Sequence, residues 1–278
     1  MFKFLRITVI LVFLAVFAVF MTFYVKTNLE TDDTIPVIKL DRDYIEVTVD
    51  SDNDKLLKGV SAFDEKDGDL TSEVIVESVS RFIEDGVCKV TYVVCDADNH
   101  VTTATRKVIY KDYSSPRFSL NKSLCYSTYE AVDVKNAVDV TDCFDGSIKD
   151  NVLITSNDFS AASAGVFSID LAVTNSKGDE AKLTLPLIVE DRSLSAPKIE
   201  LKDYLVYINK GEEIDAEENI ISAIDSDGED RIDDVIIDTN LDVNKEGVYI
   251  VHYFVTDDKD NRGHSTLYVI VESESEEE

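Results

Sequence analysis

The stretch GVCKVTYVVCD (86–96) occurs in two further versions in this chain, GVFSIDLAVTN (165–175) and GVYIVHYFVTD (247–257). Each version begins with glycine, carries apolar residues at alternate positions and closes on a polar residue. Alternation with period two is typical of a β-strand that buries one face. The interval of about eighty residues exceeds the ~20–50 residues of a solenoid repeat. The sequence therefore predicts three copies of one small domain.

A second shared block marks the start of each copy. PVIKL begins at Pro36, PRFSL at Pro116 and PKIEL at Pro197. The segments between the copies, 111–115 and 191–196, are short and polar, which permits end-to-end stacking with limited bending. We expect domains over residues 36–113, 114–193 and 194–271.

The alternation also assigns the two faces of the shared strand. Cys88, Val90, Tyr92 and Val94 lie on one face, which we expect to form the core, whereas the opposite face is mostly polar. One apolar and one polar face over six or seven short strands predicts an all-β fold of tandem two-sheet antiparallel sandwiches. In the first copy we expect strands near residues 38–40, 44–49, 59–62, 74–78, 88–95 and 103–110.

An apolar segment, ITVILVFLAVFAVFMTFYV (7–25), precedes the repeats. It contains no charged residue and is long enough to cross ~30 Å of hydrocarbon as a helix. We expect a transmembrane anchor. The alternative is a cleaved secretory signal, but the apolar region of such signals usually spans only ~7–15 residues and leads to a small-x-small site, which is missing near the end of this segment.

The charges around this segment predict its orientation. Lys3 and Arg6 precede it, and acidic residues follow it in the polar spacer KTNLETDDTI (26–35). Because basic residues stay on the cytoplasmic side, we expect residues 1–6 in the cytoplasm and the repeats outside the cell.

The composition is strongly acidic, with 56 Asp and Glu against 27 Lys and Arg and a formal net charge of −29. A nucleic-acid partner is not expected, because phosphate binding requires clustered basic residues. Such a charge is typical of a soluble, self-repelling surface. The final run ESESEEE (272–278) is expected to be a solvated, disordered tail.

A third shared block follows an early strand in each copy: GVSAFDEKDGDL from Gly59, AVDVTDCFDGSI from Ala137 and IISAIDSDGEDRI from Ile220. Together with the proline-led opening and the Gly-x-Tyr-x-Val-x-Tyr strand, this block resembles the bacterial immunoglobulin-like (Ig-like) domain. That domain is found in Gram-positive surface proteins and in pesticidal crystal toxins.

The resemblance covers residues 36–271 and implies three tandem seven-stranded Ig-like sandwiches that serve as spacers or binding modules at a cell surface. The second copy departs from the pattern at Ser147, Phe167 and Asn175. The chain contains no tryptophan, which excludes the Cys-Trp-Cys core of antibody domains.

The acidic block has two interpretations. The first is a turn in which Asp64, Asp142 and Asp225 accept hydrogen bonds from backbone amides, while the following glycine adopts a positive φ. That glycine is Gly68, Gly146 or Gly228.

The second interpretation is a calcium site, because hard carboxylate oxygens on a tight loop can supply part of a shell of six to eight ligands. A complete calcium-loop signature is missing, and no other cofactor is indicated. The carboxylates that would take part are Asp64, Asp67, Asp69, Asp142, Asp145, Asp225, Asp227 and Asp230.

Four cysteines follow the apolar segment, so we expect them outside the membrane, where disulfides can persist. Cys88 and Cys95 lie roughly 23 Å apart on one predicted strand and cannot pair, because a bridge requires Cα atoms within about 7 Å. A disulfide between Cys125 and Cys143 is the pairing that we expect within the second copy. A bridge between the first and second copies, or free buried thiols, are the alternatives.

Catalytic groups are not evident. The three histidines, His100, His252 and His264, are scattered, and we expect the last two to be exposed. The chain shows no nucleophile elbow, no phosphate-binding glycine loop and no zinc-type cysteine spacing. The sequence therefore does not favour an enzyme.

These features predict a membrane-anchored bacterial surface protein whose tandem domains act as a stalk or adhesion module. The alternative is a receptor that binds a glycan, a peptide or another surface protein through domain loops or a sheet edge. An exposed aromatic cluster formed by Tyr204, Tyr207 and Phe254 would favour the receptor.

Overall fold

The computed structural model describes residues 2–30, 34–157 and 163–273. The chain divides into two compact units, Met1–Asp112 and Tyr113–Glu278. Within the predicted tail, residues 274–278 lie outside the described part, as do residues 31–33 of the predicted spacer.

The first unit begins with helix α1 (Phe2–Glu30), which contains the predicted apolar segment. Its part Phe4–Lys26 is long and apolar enough to cross a membrane. An uninterrupted helix of 29 residues is possible here because the segment contains neither Gly nor Pro, the two residues that disfavour a helix interior most.

The remainder of the first unit is one β-sandwich. Its sheets have the strand orders β1-β3-β4 and β2-β7-β6-β5. The strands are β1 (Val37–Leu40), β2 (Tyr44–Val47), β3 (Val60–Asp64), β4 (Gly68–Asp69), β5 (Ile75–Val79), β6 (Val87–Cys95) and β7 (Val101–Tyr110). A single helical turn, α2 (Asn53–Leu56), is capped by Asp52, whose side chain accepts from the N–H of Lys55.

These bounds confirm the predicted strands of the first copy, and β6 buries Cys88, Val90, Tyr92 and Val94 as predicted. One pairing differs from a purely antiparallel sandwich, since β2 lies parallel to β7. The chain crosses from one sheet to the other between β1 and β2, so β2 joins the second sheet in the direction of β7.

The second unit contains two sandwiches of the same build. The second sandwich has the sheets β11-β10-β8 and β12-β13-β14-β9. Its strands are β8 (Arg117–Leu120), β9 (Cys125–Ser127), β10 (Val138–Asp142), β11 (Gly146–Ser147), β12 (Leu153–Asn157), β13 (Gly165–Thr174) and β14 (Glu180–Glu190), with the helical turn α3 (Val134–Ala137) before β10.

The third sandwich has the sheets β15-β17 and β16-β20-β19-β18. Its strands are β15 (Lys198–Leu201), β16 (Leu205–Asn209), β17 (Ile220–Ile224), β18 (Ile236–Thr239), β19 (Gly247–Thr256) and β20 (Arg262–Glu272). In both sandwiches the early strand again pairs in parallel with the last one, β9 with β14 and β16 with β20. The predicted all-β class is therefore confirmed.

The second and third sandwiches pack side against side, although the short polar segment 191–196 would also permit end-to-end stacking. Leu205 and Tyr268 of the third sandwich belong to the buried cluster of the second. The hydroxyl of Tyr268 donates to the carbonyl of Pro186 at 2.6 Å. The outer face of β20, which carries Tyr268 and Ile270, is covered by residues of the second sandwich.

Candidate functional site

The acidic turns hold their own backbone, as the first interpretation predicts. Oδ1 of Asp64 accepts from the N–H groups of Lys66 and Asp67 at 2.8 and 3.1 Å. Asp142 and Asp225 accept from two backbone N–H groups each in the same way. The glycines of the three turns have φ of +79°, +67° and +87°, at Gly68, Gly146 and Gly228 respectively.

The other predicted carboxylates of these turns are engaged by the protein itself. Asp67, Asp69, Asp145 and Asp230 accept from backbone N–H groups, and Asp227 forms an ion pair with a lysine. Within the described ranges, none of the predicted aspartates joins a group of three ligand atoms fit to hold a metal. Calcium binding at the turns stays a prediction.

Cys95, Cys125 and Cys143 are free cysteines. The Cys125–Cys143 bridge is therefore not formed, and this expectation is corrected. Cys125 lies on β9 of the four-stranded sheet, whereas Cys143 follows β10 of the opposite sheet, where its thiol contacts the carbonyl of Ser114 at 3.3 Å.

Cys125 instead meets two residues that are distant in the sequence. Its Sγ lies 3.1 Å from Nδ1 of His264, and the same nitrogen lies 2.9 Å from Oε1 of Glu190. Sγ and Oε2 of Glu190 are 3.8 Å apart. Among the described residues this is the one group of three side chains whose ligand atoms all lie within 4.8 Å of one another. We call it the junction cluster.

Three strands place the junction cluster. Cys125 is the first residue of β9 and Glu190 the last residue of β14, and these strands are parallel neighbours in the second sandwich. His264 comes from β20 of the third sandwich, on the face that covers the second. Cys125 and His264 are buried, which corrects the expectation that His264 is exposed, and Glu190 is partly buried.

His252 completes the surroundings of His264. It lies on the neighbouring strand β19, where it pairs with Thr266, and its Nδ1 is 3.0 Å from Nε2 of His264. Phe254 stacks on the His264 ring at 4.3 Å between centroids, and the Arg262 guanidinium covers the Phe254 ring at 3.8 Å. The imidazole of His264 is thus fixed on both sides.

The electrostatics of the cluster disfavour a free thiolate. Burial raises the pKa of the Cys125 thiol to about 12, and the negative charge of Glu190 adds to this increase. The hydrogen bond with His264 lowers the pKa of Glu190, and burial lowers that of His252. Reactive cysteines have a lowered thiol pKa, so this arrangement does not fit a nucleophile.

A cleft of about 360 Å³ opens beside the cluster between the second and third sandwiches. Cys125 and His264 line it, together with Tyr126, Glu130 and Arg192. The guanidinium of Arg192 donates to the carbonyl oxygens of His264 at 2.7 Å and of Cys125 at 3.2 Å. This linker arginine therefore fixes the backbone of both sandwiches at the cluster.

The aromatic residues of the third sandwich do not form the exposed cluster that would favour a receptor. Tyr204 and Tyr207 pack against the buried cluster of the second sandwich, and Phe254 lies on His264. The sequence signal that could have indicated this burial is the apolar outer face of β19 and β20, which carries Ile250 and Ile270 as well as Phe254.

Comparison with known families gives one match. Residues 206–262, from β16 to the first residue of β20, match the family model of the bacterial Ig-like domain (group 3). No curated protein matches the sequence.

Solved structures with similar chains are distant. The catalytic domain with the CBM51-1 and CBM51-2 domains of ZmpB from Clostridium perfringens is 15% identical with a TM-score of 0.25, and the alignment covers 88% of this chain and 31% of that one. Domains EC1-3 of Drosophila N-cadherin are 12% identical with a TM-score of 0.30, and the alignment covers 88% of this chain and 90% of the cadherin chain. The chain thus spans about a third of the length of the bacterial one.

Proposed function

We propose that this chain is a single-pass membrane protein of a bacterial cell surface and that its three Ig-like sandwiches serve as a stalk or adhesion module outside the cell. The match to the bacterial Ig-like domain at residues 206–262 supports the extracellular binding or adhesion class. Neither catalysis nor nucleic-acid binding is part of this proposal.

The observation that carries the proposal is the exposure of α1. Its large apolar side chains from Phe4 to Val25 are between 39% and 81% exposed. Burial is worth about 1.5–3 kcal/mol for each such side chain, so together they gain on the order of tens of kcal/mol in an apolar medium. The 23 residues of the apolar part extend about 34 Å as a helix, which matches ~30 Å of hydrocarbon.

The flanking charges support an orientation with the N-terminus inside. Lys3 and Arg6 lie on one side of the apolar segment, and the strongly acidic remainder of the chain follows on the other. Positive residues remain in the cytoplasm, so the sandwiches would be exported.

Topology can be tested with the native thiols. Cys95 is exposed and Cys143 is partly exposed, whereas Cys88 and Cys125 are buried. In intact cells, a membrane-impermeant maleimide should label the wild-type chain and label the double variant Cys95→Ala, Cys143→Ala much less, while Phe2→Cys in that background should gain label only after permeabilisation. Labelling of Cys95 only after permeabilisation would contradict the proposed orientation.

Anchoring needs a separate measurement. The full chain should stay in the membrane pellet after alkaline carbonate extraction, and deletion of residues 2–30 should release it. Release of the full chain by carbonate would refute the anchor without bearing on the fold of the sandwiches.

A second candidate function, a receptor for a glycan or peptide, is favoured by the cleft between the second and third sandwiches. Its lining combines charged and aromatic side chains, Lys122, Glu130 and Tyr126 among them. Clefts with an apolar floor and a few polar groups are typical binding sites. Binding of oligosaccharides or peptides that Lys122→Ala and Glu130→Ala both weaken would support a receptor, and binding that neither variant changes would exclude this cleft.

A further inference from the structure

We propose that Cys125, Glu190 and His264 form a binding site for a divalent transition metal ion of the zinc class. This site is independent of the membrane anchor and of the acidic turns. A bound ion would link the second and third sandwiches, because Cys125 and Glu190 belong to the second sandwich and His264 belongs to the third.

The distances between the ligand atoms fit a tetrahedral ion. With zinc bonds of about 2.3 Å to sulfur and about 2.1 Å to nitrogen or oxygen, the S–N and S–O edges are about 3.6 Å and the N–O edge about 3.4 Å. The S–N separation is 3.1 Å, the S–O separation is 3.8 Å to Oε2 of Glu190, and the N–O separation is 2.9 Å to Oε1 of the same carboxylate. Each separation is within about half an ångström of its tetrahedral edge, and the carboxylate faces both other ligands with one oxygen each.

The chemistry of the ligands selects the class of metal. A thiolate and an imidazole favour zinc and related ions, whereas calcium and magnesium require shells of oxygen atoms. Three protein ligands leave one position of a tetrahedron open. The neighbouring cleft, lined by Cys125 and His264, provides an entrance for the ion and room for a water molecule there.

The surroundings hold the ligands in place. Nδ1 of His264 can bind a metal when its Nε2 carries the proton, and Nδ1 of His252, 3.0 Å away, can accept that proton in a hydrogen bond. Such second partners fix the tautomer and orientation of a ligating histidine. Arg192 fixes the backbone of Cys125 and His264 through their carbonyl oxygens.

Metal binding would also balance the negative charges of the cluster. Without an ion, the buried Cys125 thiol lies 3.8 Å from Oε2 of Glu190. On binding, the sulfur–metal bond forms as the Sγ–H bond breaks and that proton leaves to solvent. The proton with which Nδ1 of His264 bonds Glu190 moves to Nε2, where Nδ1 of His252 accepts it in a hydrogen bond. Thiolate and carboxylate then balance the two positive charges of the ion.

The test uses the full-length chain in detergent, reduced, stripped with a chelator and dialysed. Zinc content is measured by mass spectrometry after incubation with ZnCl₂, affinity by competition with a chromophoric chelator, and ligation by absorption after addition of CoCl₂. The site variants are Cys125→Ser, Glu190→Gln and His264→Gln, and the matched controls are Cys143→Ser, Glu200→Gln and His100→Gln.

We expect the wild type and all controls to bind one zinc ion per chain and to show the near-ultraviolet band of a cobalt–thiolate bond. Cys125→Ser should abolish that band and weaken zinc binding at least 100-fold, and His252→Ala should weaken it about 10–100-fold. Zinc should raise the Tm of the wild type and leave the Tm of the site variants unchanged.

Two results would overturn the proposal. One is a stripped wild type that takes up no zinc at micromolar concentration, and the other is zinc binding of equal affinity in the wild type and Cys125→Ser. If Cys125→Ser or His264→Gln lowered the metal-free Tm, the zinc affinity of Glu190→Gln would be the deciding measurement. This nearly isosteric change removes a ligand charge and leaves the size of the side chain unchanged, so zinc binding as tight as in the wild type would count against the site.

Discussion

Arg106 offers the sharpest test of how the first sandwich is held together. It pairs with Val90 across β6 and β7, and the equivalent positions in the other two sandwiches hold Leu185 and Leu267. The Arg106 side chain is fully buried. It donates to the hydroxyl of Tyr92 and to the carbonyl oxygens of Leu56 and Lys58, each at 2.7 Å.

Replacement by the leucine of the other copies, Arg106→Leu, removes these three bonds and leaves their acceptors in place. Hydrogen bonds from a charged donor contribute about 1.5–3 kcal/mol each. The buried leucine recovers about 1.5–3 kcal/mol. We therefore expect a loss of about 2–7 kcal/mol, a large part of the ~5–15 kcal/mol that stabilises a domain.

The assay is urea unfolding of the full-length chain in detergent, followed by hydrogen–deuterium exchange of residues 87–110 and compared with the second unit. Arg81→Leu, an exposed arginine in the same sandwich, is the matched control and should change stability by no more than about 0.5 kcal/mol. Tyr92→Phe should lie between the two, because it removes only the bonds of the hydroxyl.

In some proteins a buried charged side chain can be replaced by a well-packed apolar residue without loss of stability. If Arg106→Leu were as stable as the wild type within about 1 kcal/mol, Arg106 would belong to that class and the hydrogen-bond reasoning would be wrong. The exchange of the second unit should not change, and a change there would show an effect other than the loss of these bonds.

Three further outcomes follow from local geometry. Gly263→Ala should destabilise the third sandwich by about 1–3 kcal/mol in calorimetry, because its Cβ would overlap the carbonyl of Pro197; an unchanged Tm would contradict this contact. Gly228→Ala should cost about 1–2 kcal/mol, since φ is +87° there, and a neutral effect in the same assay would argue against the turn. The pKa of Asp257 is lowered, chiefly by the side-chain hydrogen bond from Asn261. The ionised Asp257 therefore stabilises the fold at any pH above its unfolded pKa of ~3.9, and this stabilisation is lost as the pH falls through the lower pKa of the folded state. Between about pH 5 and 2, Asp257→Asn should therefore lose less stability than the wild type, and parallel pH profiles would contradict the shift.

Much of the fold follows from the sequence alone. The alternation in residues 86–96 predicts both the strand and its buried face, because successive side chains of a strand point to opposite sides. The turn chemistry is equally local. Asp64 and Gly68 act within a few residues, so spacing suffices to predict the hydrogen bonds and the positive φ.

The candidate site depends on tertiary structure. Cys125 and His264 are 139 positions apart, and Glu190 is 74 positions from His264. Alternation places His252 outside the core of its own sandwich, and His264 follows the last hairpin, so the sequence predicts that both are exposed. The alternation of a strand determines which residues share a face. Only the packing of the second sandwich on the third determines that this face is buried and that the thiol of Cys125 and the carboxylate of Glu190 lie against it.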